Sequence, residues 1–486
     1  MNGKLKVTAA VVLLAAMVFS ACTKEEQPQF TGEGTQEPEY QAHLDAVSPS
    51  AYRNVQGLNL EPGTYISIIG KEESSAYSKE LNKGVMQAAE DLNTLLGYTG
   101  SDRIKVVYNG AAKSEDIGEQ VNILDEELSR YPDVLGIASV DEDACTVQLD
   151  LATSNGIPII AFDSGNVHPG ILCTVKTDNA DAARTGAYKL ADEIGGAGQV
   201  LLLVNDSESE SSRERTESFL QEMSENHPDI EVVETIYLDD LAKYKRRIVE
   251  EKARELEAGG VEDGTGQDGM TENGARPDGV GQGGAAGNEA GQNNAAGNEA
   301  GQGGAAGNAS GQDNAADNAR ETSGSVTDGT RPGDAATNLE GQENEGTPAT
   351  SDAAGMTDEE KTAMVNAMSD EDVYAYYLEK YPDLKGMFGT SFSATQAGLK
   401  ALRRAERLEN VSLMGFDAGK EQLEALKNGE IKGLVVQNPF GMGYAAVVAA
   451  ARTILDQGNE AQVDTGYTWV TQENMEDAAI KRMLYE

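Results

Sequence analysis

Apolar residues gather in short runs along this chain, and each run is followed by a longer stretch in which they recur every third or fourth position. The first run, at 65–70, has turn residues on both sides. The stretch after it sets Leu81, Val85, Ala88 and Leu92 on one helical face. The alternation repeats, with strands at 104–108, 134–139, 157–162 and 173–177 and helices at 117–131 and 144–154. Strands at 199–204 and 231–237 continue it, and after residue 357 come a strand at 384–388 and a helix at 393–404. Two apolar runs then close at Phe416-Asp417 and Gln437-Asn438, and a last strand is expected at 467–471. Strands alternating with helices of this length predict an α/β fold of doubly wound parallel sheets with helices on both faces.

Two regions break the pattern. Lys4 and Lys6 precede an apolar core at 7–19 that is too short for an ordinary spanning helix, and Phe19-Ser20-Ala21-Cys22 follows. That order is similar to the lipobox of bacterial lipoproteins, so 1–22 is read as a signal peptide ending at a lipidated Cys22. Residues 23–62 are polar and without period, which predicts a disordered tether. The second break runs over 259–355 and is rich in Gly, Ala, Asn, Gln and acids. It contains four tandem copies of a ten-residue unit, beginning GQGGAAGNEA at 281–290. With almost no large apolar residue it cannot offset its ordering entropy, and a disordered insertion is expected.

Charge and composition narrow the chemistry. A formal net charge of −44 argues against nucleic acid or anionic lipid as a partner. Cys145 and Cys173 fall in a helix pattern and a strand pattern, and both are read as small buried side chains rather than a disulfide scaffold. His43, His168 and His227 are scattered, without the spacing of a zinc site or a catalytic triad. Asp178-Asn179-Ala180-Asp181 lacks the Gly and closing Glu of a calcium loop and reads as a turn and helix cap. No catalytic residue, metal or cofactor is expected.

Ligands of open parallel sheets sit beyond the carboxyl ends of the strands, where Asp163, Asp417 and Gln437 fall. Around them, FDSG at 162–165, TDNADAARTG at 177–186, SSRERTESF at 211–219, YPDLKGMFGTS at 381–391, MGFDAG at 414–419 and VVQNPFGMGY at 435–444 follow in order. This order resembles type I periplasmic binding proteins, in particular the ribose- and galactose-type sugar-binding lipoproteins of ABC transporters.

The resemblance implies two lobes joined by a three-crossing hinge. One lobe would hold 63–177 and 438–465. The other would hold 178–437 and 466–486 and carry the insertion. It also implies a ligand set. Asp163 and Asp417 would take pairs of sugar hydroxyls, Gln437 would supply the hinge amide, and Arg215 would reach a ring oxygen or hydroxyl. Tyr77 and Phe416 would form aromatic walls, and Ser75, Ser164 and Ser391 stand where the family often has amides or an arginine. Arg213 is read as solvated.

The function implied is capture of a small carbohydrate by a monomer, lipid-anchored outside the cytoplasmic membrane, for delivery to an ABC permease. A sensor signalling to a histidine kinase or chemoreceptor is the alternative. A glycoside hydrolase using Asp163 and Asp417 as its carboxylate pair is a third reading.

Overall fold

The computed structural model of the chain describes residues 38–113, 116–259 and 356–485. The signal peptide with Cys22, the first part of the tether and the insertion from residue 260 onward lie outside the described residues. After α1 (Gln41–Asp45), one lobe is built from β1 (Tyr65–Glu72), α2 (Ala76–Leu96), β2 (Lys105–Ala111), α3 (Ile117–Leu128) and β3 (Val134–Ile137). It continues with α4 (Thr146–Ser154), β4 (Ile159–Phe162) and β5 (Ile171–Lys176). The chain then crosses to the other lobe through α5 (Asn179–Glu193), β6 (Gly198–Val204), α6 (Glu210–Asn226), β7 (Ile230–Tyr237) and α7 (Leu241–Gly259). That lobe goes on with α8 (Asp358–Ala367), α9 (Asp370–Lys380), β8 (Leu384–Gly389), α10 (Phe392–Arg404), β9 (Ser412–Phe416), α11 (Lys420–Lys427) and β10 (Gly433–Gln437). The second crossing leads back to α12 (Pro439–Ile454) and β11 (Gln462–Asp464), and the third to β12 (Tyr467–Val470) and α13 (Ala478–Lys481).

Each lobe holds one sheet, ordered β11-β5-β4-β3-β1-β2 and β12-β10-β9-β8-β6-β7. The orders match position for position, so β1 corresponds to β6 and β4 to β9. Pairing is parallel except at β12, which runs antiparallel to β10. Parallel neighbours need long crossovers, which the helices supply. All the strands after which a ligand would sit therefore end toward the gap between the lobes.

Helices on both faces close the cores. In the first lobe α12 is buried from Pro439 to Ala451 and lies between the sheet and α2. The two helices touch through glycine. A Cβ at Gly84 would stand 2.0 Å from the Phe440 carbonyl oxygen, and one at Gly443 would stand 2.1 Å from that of Leu81. Leu124, Leu128 and Leu149 fill the opposite face. In the second lobe Phe219, Met223 and Phe388 pack on one side of the sheet, and Tyr377, Leu399 and Leu426 on the other. Each such side chain contributes about 1.5–3 kcal/mol on leaving water. Cys145 and Cys173 are buried and unbridged, and burial pushes their thiols up to about 11 and about 12.

One expectation is corrected. The tether was expected to run to residue 62, but the described part from residue 38 is packed on the first lobe. Leu44, Val47, Tyr52, Val55, Leu58 and Leu60 are buried in the same core as α12. Ser48 exchanges two backbone hydrogen bonds with Asp464, at 2.7 and 2.9 Å. Tyr52 donates to Asn459 and accepts from the Glu460 N–H. These apolar residues follow neither period of regular structure. Their partners lie some four hundred positions away, so no local pattern announces them.

Candidate functional site

The strand ends of both lobes face a cavity of about 350 Å³. Its acids arrive by the same backbone device in each lobe. Asp163 follows β4 with φ 55°, and Asp417 follows β9 with φ 71°. Their N–H groups bond the Val175 and Val435 carbonyls, each at 2.9 Å. A short polar side chain tolerates this left-handed conformation, and the turn swings the carboxylate out beyond the sheet. Gly165 completes the first turn at φ 75°, where a Cβ would stand 2.1 Å from Glu210 Oε2.

The two acids differ in what they hold. Asp163 is half-buried, and its Oδ1 accepts the Tyr77 hydroxyl at 2.8 Å. Among the described residues no group donates to its Oδ2. Asp417 is buried, and its Oδ1 accepts Gln437 Nε2 at 2.7 Å and the Tyr485 hydroxyl at 3.1 Å. Its Oδ2 accepts the Phe392 N–H at 2.9 Å. Burial pushes the Asp417 carboxyl up against the pull of Arg215 and these donors. Burial, with the nearby carboxylates, also holds the Tyr77 and Tyr485 hydroxyls well above the ordinary tyrosine range, so both act as donors.

Arg215 is the centre of the polar floor. Its Nε donates to Asn179 Oδ1 at 2.8 Å, Nη1 to the Thr390 carbonyl at 3.0 Å, and Nη2 to Gln437 Oε1 at 2.8 Å. Thr177 Oγ1 donates to the same Gln437 oxygen at 3.2 Å. Thr177 and Gln437 sit at the first and second crossings, so one network joins the hinge to the cavity wall.

The first strand of each lobe also ends in a carboxylate. Glu72, the last residue of β1, accepts from the Ser74 and Ser75 N–H groups and from the Ser78 hydroxyl. Asp206, after β6, accepts from the Glu208 and Ser209 N–H groups and the Ser212 hydroxyl. Burial alone would raise both carboxyls. For Glu72 the hydrogen bonds from Ser75 and Ser78 win, and for Asp206 Lys71 and then Asn205 and Ser209 do, so both end below the usual range.

Seven of the expected contact residues line the cavity: Ser75, Tyr77, Asp163, Arg215, Ser391, Asp417 and Gln437. Ser75 and Ser391 face it as N-caps of α2 and α10. Two do not. Ser164 is buried and donates to the Ser139 carbonyl at 2.6 Å, because the turn that exposes Asp163 points the next side chain inward. Phe416 is fully buried, with the Arg215 guanidinium 4.3 Å above its ring, so it supports the arginine from beneath by a cation–π contact. Arg213, expected to be solvated, reaches Glu142 on the opposite lobe at 2.8 Å. Lys176 makes a second cross-lobe link, to Glu210 at 2.6 Å and Glu214 at 2.7 Å.

Sequence reasoning missed Lys71, Glu72, Tyr108, Asp206 and Tyr485, all of which line the cavity. Glu72 and Asp206 had a signal, since each heads a serine-rich helix start. Asp178, read as a cap, accepts from the Asp181 N–H at 2.9 Å. Among the described residues no group of three or more His, Cys, Asp or Glu is placed to hold a metal ion.

The comparisons with known proteins bear on this geometry. A family model described as a periplasmic binding protein domain matches residues 66–256 and 351–459. A xylitol-binding protein of Mycolicibacterium smegmatis is 24% identical over 167 residues, which is 34% of this chain and 45% of that relative. The match thus spans less than half the length of the curated relative. Among solved structures, a carbohydrate transporter solute-binding protein from Agrobacterium radiobacter in complex with D-arabinose superposes with a TM-score of 0.54 at 20% identity. It covers 87% of this chain and 99% of that one. An ABC transporter solute-binding protein from Agrobacterium vitis bound with α-D-tagatopyranose gives 0.55 at 18% identity, with the same coverage of both chains. At such identities the likeness is one of fold.

Proposed function

The chain belongs to the periplasmic binding protein domain family, and from that premise we propose that it is an extracytoplasmic receptor for a small, neutral carbohydrate. It captures the ligand between its lobes and delivers it to an ABC permease, as a monomer held at the outer face of the cytoplasmic membrane by a lipid on Cys22. The observation that carries the reading is Asp163, whose Oδ2 is left open at the cavity wall beside a tyrosine. A carboxylate oxygen so placed takes hydroxyl donors in charge-assisted bonds. Tyr77 and Tyr108 add flat, amphipathic faces suited to the apolar side of a sugar ring. The polyol class is supported by the xylitol, D-arabinose and α-D-tagatopyranose named for the relatives above.

Charge argues for neutrality. Glu72, Asp163, Asp206 and Asp417 line the cavity against Lys71 and Arg215, an excess that repels phosphorylated sugars and uronic acids. Catalysis is not part of the proposal. A glycosidase pair needs one carboxyl that hands a proton to the leaving oxygen. Asp417 is instead an acceptor on both oxygens, engaged by three protein donors.

The test is to purify the full chain without denaturation, unfold it and identify the released small molecule by mass spectrometry. A neutral pentose, hexose or polyol is the expected result. An amino acid, a peptide or a sugar phosphate in its place would overturn the proposal.

A further inference from the structure

Tyr485 reaches the cavity from outside the strand-end scheme that supplies most of its wall. It follows α13, past the last strand of the second lobe, and the segment is rooted in that lobe's core by Met475, Ile480 and Leu484. The ring is buried at 4% exposure, and its hydroxyl ends on Asp417. Across the gap it meets Tyr77 of the first lobe edge to face, with ring centroids 6.1 Å apart.

Tyr485 also has a second neighbour. A larger hollow of about 1220 Å³ lies on the outer side of the 478–485 segment, between that segment, α2 and the 38–43 stretch. Among the described residues, Tyr485 is the one side chain that lines both that hollow and the cleft cavity. The cleft cavity sits near the lower end of the roughly 300–1,000 Å³ usual for small-molecule sites. Tyr485 is thus the residue at which the two spaces meet.

We propose that Tyr485 is a specificity-determining residue that limits the ligand to a single sugar unit by closing the cleft cavity off from the outer hollow. The inference rests on the carbohydrate reading above and adds the size of the ligand to it. The hydroxyl fixes the ring by bonding Asp417, and the ring excludes a second sugar unit by occupying the space a glycosidic extension would cross.

The test is titration calorimetry of the full chain and its Tyr485→Phe, Tyr485→Leu and Tyr485→Ala variants. The probes are two matched pairs, D-xylose with xylobiose and D-galactose with galactobiose, and circular dichroism melts verify that each variant folds. Wild type is expected to bind one of the monosaccharides and to reject its disaccharide. Tyr485→Phe keeps that preference, because the ring remains. Tyr485→Ala narrows the ratio of the two affinities by about tenfold or more, the scale on which one pocket wall discriminates one ligand group. Tyr485→Leu, which retains an apolar contact with the lobe core, narrows it in the same direction should the alanine variant not fold. A ratio unchanged in both truncated variants overturns the assignment, as does a wild type that takes the disaccharide as tightly as the monosaccharide. Silence of wild type and every variant toward all four sugars overturns the size limit as stated here, while the identity of the co-purified molecule decides the carbohydrate reading separately.

Discussion

Asp163 and Asp417 occupy equivalent strand ends and share a left-handed backbone, yet they hold different partners. Asp417 is consumed by Gln437, Tyr485 and the Phe392 N–H. It therefore acts on a ligand chiefly by fixing its neighbours. Asp163 keeps one oxygen uncommitted and is the acid with room to bind. Asp163→Asn removes the charge but keeps the shape, and asparagine accepts the left-handed conformation. Its calorimetric affinity for the cognate ligand should fall by about 1.5–3 kcal/mol, the worth of a hydrogen bond to a charged group. Its melting temperature should stay close to wild type. A large loss of thermal stability with affinity intact would reverse the assignment.

At the scale of elements, the carboxylates Glu72 and Asp206 hold the turn that leads into the first helix beyond each lobe's first strand. Both carboxyls lie below the usual range in the folded protein. The stability they add is thus present above the ordinary carboxylate range and lost as pH falls through it. Glu72→Ala and Asp206→Ala should each cost about 1–2 kcal/mol in urea unfolding at neutral pH. The gap from wild type should shrink as the pH drops below about 4, where the unfolded chain takes up these protons first and the folded protein follows at lower pH. A gap that stays constant with pH would show that these carboxylates act by shape rather than charge.

The same elements show how far the sequence reaches. FDSG at 162–165 and FDAG at 416–419 were legible as strand ends because an apolar run closing on Asp and Gly is a local signal. The helices were legible from stripes such as Leu81, Val85, Ala88 and Leu92. Residues 38–60 were not, since Leu44, Tyr52 and Leu58 obey no period and are held by contacts distant in the chain. Tyr485 was hidden for the same reason. The inward turn of Ser164 and the burial of Phe416 depend on backbone angles that residue order does not reveal.

For the whole molecule, hinge and site form one unit. The network Thr177–Gln437–Arg215–Asn179 spans the first two crossings, while Lys176 and Arg213 tie the lobes by ion pairs to Glu210, Glu214 and Glu142. A ligand that bridges Asp163 in one lobe and the Arg215–Gln437 network in the other would add to these links and favour the closed arrangement, the general logic of hinge closure. The excess of carboxylates around the cavity fixes which ligands can do so. The most direct measurement is titration calorimetry of the full chain with D-arabinose, D-xylose, D-galactose and xylitol, each set against D-galacturonate. One-site binding of at least one neutral compound is predicted, with the uronate weaker by about tenfold or more. Binding of galacturonate as tight as that of every neutral compound, or no heat from any of the four, would contradict a cleft built for a neutral sugar.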